Sequence, residues 1–328
     1  MHPRIIEIPF LHVTIWGFGL MMVMGFLSAL WLLRRLSRRD SLDPERMANV
    51  ALYCLIVGVI GARAFFVIHH FDQFRGNFLG VFAIWRGGLE FLGGVAPAVA
   101  FVLLYLRVSR LPMRRYLDIL AMGLMLGLAF GRIGCFLNGC CYGRPTDLPW
   151  GIRFPYGSYA YVSQINPDER RGRAAPHLDV PRGEYAAFVD EEGHWYPKAL
   201  EELTESQRDE VTRGRHRCLP IHPTQLYASG FAFLLCGALY LLWRWSRRSG
   251  RAGAATVGLC LFYGPGRFVL EAIRDDNPYE IGAFTISQLL GIVMFLAGLV
   301  LLAIFVTRWP GTSSGKGVLP VEQTDTTG

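Results

Sequence analysis

The sequence predicts an all-α integral membrane protein of about seven transmembrane helices, and three observations carry that expectation. Only 18% of the 328 residues are charged and 52% are hydrophobic, whereas an average soluble domain has about 25% charged residues. Apolar runs recur at 13–33, 48–68, 95–106, 119–130, 226–242, 254–270 and 284–306. Basic residues gather in every second gap between these runs. A helix needs roughly 20 mostly apolar residues to cross the hydrocarbon core. The two short runs reach that length through flanking Gly, Phe and Leu.

The arginines give the orientation. Arg34, Arg35, Arg38, Arg39 and Arg46 follow the first run, Arg107, Arg110, Arg114 and Arg115 the third, and Arg244, Arg247, Arg248 and Arg251 the fifth. The gap after the second run holds only Arg75 and Arg86, and the gap after the sixth has Arg274 beside Asp275 and Asp276. Loops rich in Lys and Arg stay in the cytoplasm, which puts the N-terminus outside and the C-terminus inside. The net charge of +7 is thereby explained by membrane topology, and no nucleic-acid partner is expected. The first run is too long for a cleaved signal peptide, and its basic cluster follows it rather than preceding it.

Four segments follow from this reading. Residues 1–143 carry helices one to four, 144–221 form a polar insertion on the periplasmic face, 222–308 carry helices five to seven, and 309–328 are a disordered cytoplasmic tail. The insertion is rich in Arg, Glu, Asp and Pro, with Tyr156, Tyr159, Tyr161, Tyr185, Trp195 and Tyr196 interleaved. A short polar helix is expected at 197–210, with the proline in the first turn where its missing N–H costs nothing. The rest of the insertion reads as irregular arms. The tail is too poor in apolar residues to fold.

Ionisable groups inside apolar spans point to function, since each costs about 2.5–3.5 kcal/mol at mid-depth. Arg63, Arg132, Arg267, Glu271 and Arg274 all lie in the later halves of outward-running spans. The polar, Gly-rich starts of the inward-running spans, 87–94 and 222–225, lie at the same end. These groups converge on the outer leaflet. Tyr263, Arg267, Glu271 and Arg274, spaced four, four and three apart, form one stripe of a helix. One carboxylate cannot neutralise all these arginines. The surplus guanidinium groups call for an anion, and arginine binds phosphate bidentately without losing its charge when desolvated. The local candidate is a lipid headgroup. For Arg63 alone, packing or snorkelling is an equal alternative.

The segment Gly131-Arg132-Ile133-Gly134-Cys135-Phe136-Leu137-Asn138-Gly139-Cys140-Cys141-Tyr142-Gly143 resembles the signature of the prolipoprotein diacylglyceryl transferases, commonly G-R-x-G-N-F-x-N-x-E-x-x-G. Further matches occur in the family's order: Gly61-Ala62-Arg63, Gly87-Gly88-Leu89 with Gly93-Gly94, and the segment from Pro145 to Gly151. They continue with His222-Pro223-Thr224-Gln225-Leu226-Tyr227, and Tyr263-Gly264-Pro265-Gly266-Arg267-Phe268 through Glu271 and Arg274. Four departures mark a divergent branch. Cys135 stands for the usual Asn, Cys140 for the usual Glu, Leu92 for a histidine before the paired glycines, and Phe18 for a first-span Tyr.

The resemblance implies an enzyme of the bacterial cytoplasmic membrane with its active site toward the outer leaflet. It would move the diacylglyceryl group of phosphatidylglycerol to the lipobox cysteine of a prolipoprotein signal peptide, with no cofactor. By position, Arg132 would bind the headgroup, and Arg267, oriented by Glu271, would stabilise the departing phosphate. Asn138, Gln225 and Tyr263 would supply hydrogen bonds, with Arg63, Arg274 and His222 completing the substrate-binding set. For His222 a structural cap at the fifth span and a catalytic base both stand open. With Leu92 in place of the histidine, a histidine-base mechanism is in doubt. Two other readings remain: a paralogue acting on another thiol acceptor, and a lipid-headgroup transporter. The transporter would need polar groups continuing to the inner face, and the sequence has none. Cys54, Cys236 and Cys260 read as packing residues. Cys135, Cys140 and Cys141, with Cys218 as a further partner, leave a disulfide or free thiols open, and their spacing matches no usual zinc pattern, so no metal is expected.

Overall fold

The computed structural model describes residues 4–8, 13–76, 78–83 and 87–307. Arg86 and the 309–328 tail lie outside these residues. Seven long helices are present among them: α1 (Gly17–Arg39), α2 (Pro44–His69), α3 (Phe91–Val108), α4 (Met113–Asn138), α8 (Thr224–Arg248), α9 (Ala254–Ile273) and α10 (Ile286–Thr307). By length and composition α1, α2, α4, α8 and α10 are apolar enough to cross a membrane. Helix α3 is shorter, and α9 carries the charged stripe at its end. The first apolar run is not helical throughout. Its start, Val13–Trp16 (β2), pairs antiparallel with Arg4–Ile8 (β1), and the helix begins at Gly17.

The bundle is apolar on its outside as well as its inside. Leu234 is 77% exposed and Ile68 67%, whereas Asp118, Gln225 and Glu271 are buried. That inversion suits a lipid surround, because exposed apolar side chains gain nothing from packing inward when the solvent is hydrocarbon. Helix α4 is central and packs against α1, α8 and α9, while α2 pairs with α3 and α9 with α10. Small residues set the closest approaches. A Cβ on Gly264 of α9 would sit 2.4 Å from the Gly291 carbonyl oxygen of α10, so only glycine allows that crossing.

Buried carboxylates tie the arginine-rich ends together. Asp40, in the turn after α1, takes Arg115 Nε at 2.8 Å and Arg247 Nε at 2.9 Å. Asp118 of α4 accepts from Gly253 N at 2.6 Å, and from Thr256 N and Oγ1 at 2.8 Å each. It thereby caps the N-terminus of α9 from a neighbouring helix, satisfying donors that a helix start leaves unpaired. The ends of α1 and α8 and the starts of α4 and α9 therefore share one end of the bundle.

The 144–221 segment is a packed head rather than a set of irregular arms. It contains α5 (Tyr159–Ile165), α6 (Arg182–Tyr185), a hairpin of β3 (Ala186–Val189) with β4 (Trp195–Pro197), and α7 (Glu205–Thr212). Tyr161, Tyr185, Trp195, Val211 and Ile221 are buried in its core, while Tyr159 is 64% exposed. The polar helix expected at 197–210 starts later. Pro197 closes β4, and α7 begins after Thr204, whose hydroxyl accepts from Gln207 N at 3.3 Å while Gln207 Oε1 accepts from Thr204 N at 3.0 Å. That reciprocal pair satisfies two orphan donors, which a proline at the first turn cannot do.

Removing the Asp118 cap is expected to cost about 1–2 kcal/mol. Asp118→Ala should lower the thermal midpoint in detergent, and Asp118→Asn, which keeps an acceptor oxygen, should lower it less.

Candidate active site

At the end of the bundle opposite Asp40, three chain segments are stitched by backbone hydrogen bonds. Gly143 N donates to His222 O at 3.1 Å, His222 N to Arg144 O at 3.0 Å, Arg144 N to Ile273 O at 3.0 Å, and Asp275 N to Tyr142 O at 3.1 Å. The signature segment thus lies between the start of α8 and the end of α9. Gly143 is obligatory in that seam, since a Cβ there would fall 2.7 Å from both Cβ and O of His222.

The ionic centre is Glu271, whose side chain is wholly buried. Its Oε2 lies 2.8 Å from Arg267 Nη2 and 3.3 Å from Arg274 Nη1, and its Oε1 accepts from Asn277 Nδ2. Arg274 lies one residue past the end of α9, yet its side chain folds back onto the stripe. Its Nε and Nη2 hold Asp276 at 2.9 and 2.7 Å. Burial pushes the Asp276 carboxyl above its ordinary range, and the paired bonds from Arg274 oppose that push. Arg267 also donates from Nη2 to Ser287 Oγ at 2.9 Å. The charges of Arg132 and Arg274 both reach Arg267. Among the described residues Arg132 has no hydrogen-bond or ion-pair partner. Three guanidinium groups (Arg132, Arg267, Arg274) therefore face two carboxylates (Glu271, Asp276), leaving one positive charge uncompensated.

The sequence-predicted residues do not all join this cluster. Gln225 is buried, donates to Cys140 O at 2.7 Å and leaves its Oε1 without a partner. Asn138 lines a cleft of about 1160 Å³ between the end of α4 and the head, together with Tyr142, Tyr156, Tyr159, Arg173 and Asp276. Tyr263 stacks on Phe231 with ring centroids 6.5 Å apart, one turn before Arg267. His222 works through its backbone in the seam, and its Nδ1 lies 3.3 Å from Tyr227 Oη, which also accepts from Trp150 Nε1 at 2.7 Å. Arg63, expected in the substrate-binding set, is engaged by backbone carbonyls. It is buried and gives four N–H groups to the carbonyls of Gly80, Val81, Gly87 and Gly88 at 2.6–2.9 Å, with Phe66 and Phe74 against its guanidinium. None of these bonds reaches the cluster; they tie Gly80 and Val81 to Gly87 and Gly88 through the Arg63 guanidinium.

Several contributors escaped the sequence reading. Arg171 and Arg173 of the head bind Asp275, with Arg173 Nη1 at 3.0 Å and Arg171 Nη1 at 3.6 Å, and His177 Nε2 lies 3.5 Å away. Arg171 also donates to Arg274 O. These bonds clamp the head onto the end of α9. Near Leu92, His69 Nδ1 pairs with Glu90 at 2.8 Å. All seven cysteines are free thiols, so the disulfide alternative is not formed, and Cys218 is buried in the head's core.

A multi-helix apolar bundle that concentrates desolvated guanidinium groups at one end defines a membrane protein equipped to hold an anionic group. The sequence profile described as "Prolipoprotein diacylglyceryl transferase" matches residues 3–304. Among similar proteins are phosphatidylglycerol–prolipoprotein diacylglyceryl transferases of Xanthomonas campestris pv. campestris (30% identical, covering 89% of this chain and 88% of the relative) and Geobacter sulfurreducens (29%, 90% and 93%). One from Clostridium tetani is 26% identical over 91% of this chain and 96% of its own. The chain belongs to the prolipoprotein diacylglyceryl transferase family and is a transferase.

Removing one member of a buried ion pair costs about 3–5 kcal/mol. Asp275→Ala should therefore loosen the head locally. Limited proteolysis is expected to cut within 144–221 at a raised rate while helical content of the bundle is unchanged.

Proposed function

We propose that this protein transfers the diacylglyceryl group of phosphatidylglycerol to the lipobox cysteine thiol of prolipoproteins, the first step of their maturation. The uncompensated charge of Arg132 beside the Glu271-held Arg267 supports this reading most directly. In this account all seven long helices cross the bacterial cytoplasmic membrane. The Asp40 end faces the cytoplasm by the positive-inside rule, and the head and arginine cluster face the periplasm and outer leaflet.

The chemistry is a displacement at a glyceryl carbon. Sulfur forms the new S–C bond, and the C–O bond to phosphate breaks with its electron pair leaving on the phosphate oxygen as glycerol phosphate. The phosphate gains charge as the bond breaks. Guanidinium groups already fixed in a dry site stabilise that charge without reorganising. Arg132 is the free group that takes the headgroup. Arg267 meets the departing phosphate, and Glu271 fixes its plane. The incoming sulfur attacks as thiolate, and the positive field of the cluster favours that form, so no histidine base is required at Leu92. Asn138 and Tyr263 supply hydrogen bonds to glycerol or phosphate oxygens. The cleft beside Asn138 receives the lipobox segment, with exposed Tyr159 on its rim.

Arg132→Ala and Arg267→Ala should each lower transfer by about 10²–10³-fold while the protein still inserts. Arg132→Ala should keep its thermal midpoint, and Arg267→Ala, which takes a partner from buried Glu271, should lower it. The measurement is transfer of labelled diacylglyceryl from phosphatidylglycerol to a lipobox peptide by the purified enzyme. Undiminished transfer in the double variant would refute these roles. Tyr159→Ala should raise KM for the peptide and leave kcat in place. Complementation of a strain depleted of its own transferase tests the acceptor, and a paralogue with another thiol substrate would fail it.

A further inference from the structure

The end of α4 holds a cluster that the transfer reaction does not use. Cys135, Cys140 and Cys141 place all three sulfur atoms within 4.8 Å of one another. Their spacing in the chain gives no hint of this, and the backbone explains it. Gly139 adopts φ 78°, its N–H donates to Phe136 O at 3.2 Å, and Cys140 N–H donates to Cys135 O at 3.2 Å. These are the two bonds of a Schellman helix end, which brings the side chain three residues inside the cap against the one two residues beyond it. Those two side chains are Cys135 and Cys140. Cys141 follows with φ 60°, a left-handed conformation that is costly for a side-chain-bearing residue. Two bonds from α8 hold the turn in place, Gln225 Nε2 to Cys140 O and Thr224 Oγ1 to Cys141 O, both at 2.7 Å.

We propose that Cys135, Cys140 and Cys141 form a binding site for a thiophilic d10 cation, Zn(II) or Cu(I), beside the arginine cluster. Thiolate donors select such soft ions. With metal–sulfur bonds of about 2.3 Å, sulfurs sharing one ion stand roughly 3.7–4.0 Å apart, so the observed grouping closes by small side-chain rotations. The charge also fits. Three thiolates leave Zn(II) with a net charge of −1 and Cu(I) with −2, and the charges of Arg132 and Arg274 reach Cys141. The trithiolate complex is an anion in a place built for anions. The unpartnered, buried Oε1 of Gln225, on the side chain that already holds Cys140, gives an acceptor for a cation-bound water in the fourth position. A complex seated there neutralises part of the charge available to phosphate, so occupancy is expected to slow transfer.

The site is tested without reference to activity. The full-length protein in detergent, fully reduced, is titrated with Co(II) as the spectroscopic substitute for Zn(II), and with Cu(I) against a competing chelator. One equivalent should bind, with sulfur-to-cobalt charge-transfer absorption and protection of three thiols from alkylation. Cys54→Ser, Cys236→Ser and Cys260→Ser combined should leave that signal intact. Cys135→Ala, Cys140→Ala and Cys141→Ala combined should abolish it. If that triple variant does not fold, Cys141→Ser alone should weaken binding by at least about tenfold. The proposal is overturned by absence of the charge-transfer band, by equal binding in the triple variant, or by mapping of a disulfide among these three residues in place of bound ion.

Discussion

One buried carboxylate organises the functional end of this protein. Glu271 is fully sequestered and contacts Arg267 and Arg274 through a single oxygen. Either arginine alone, desolvated at this depth, would carry a large penalty, and the carboxylate offsets it. The same contact fixes the direction of the Arg267 guanidinium, since its Nη2 is held by both Glu271 and Ser287. Arg132 stands outside that compensation. The cluster therefore keeps one uncompensated positive charge, which in the proposed function receives the anion. A fully paired network would be more comfortable and chemically idle.

The surrounding structure protects this arrangement from both sides. From the bundle, the seam among Gly143, His222 and Ile273 binds α4, α8 and α9 through backbone groups. From the head, Arg171 and Arg173 hold Asp275, next to Arg274 in the chain. The head is thus coupled to the charged end of α9 through ion pairs whose members are mostly buried. Its cleft opens beside Asn138, at the C-terminal end of the signature helix. A peptide bound in the head and an anion bound to the arginines would meet over the same few residues.

The two ends of the bundle use carboxylates differently. Asp40 and Asp118 each have their acceptors filled by specific partners, two guanidinium groups in one case and a helix N-terminus in the other. These are closed structural nodes. Glu271 instead sits in a group with surplus cation. The difference between a scaffold and a site is here the sign and size of the leftover charge.

The sequence by itself determined the long apolar helices, the arginine-rich end, and the Arg267–Glu271 stripe of α9. Those features rest on run length and helical spacing, which are local properties of the chain. Only the tertiary structure decided what depends on through-space meetings. Arg173 finds Asp275 across 102 positions, and Arg63 is met by the carbonyls of Gly80, Val81, Gly87 and Gly88. The first apolar run gives up its opening residues to a strand because β1 is there to pair with it. Tyr161, Tyr185 and Trp195 of the insertion become a core because segments distant in the chain pack together. Even the three cysteines, near neighbours in the chain, meet only because a left-handed glycine turns the backbone over the helix end. Hydropathy and spacing register what one segment requires of its surroundings, and packing alone determines which other segment supplies it.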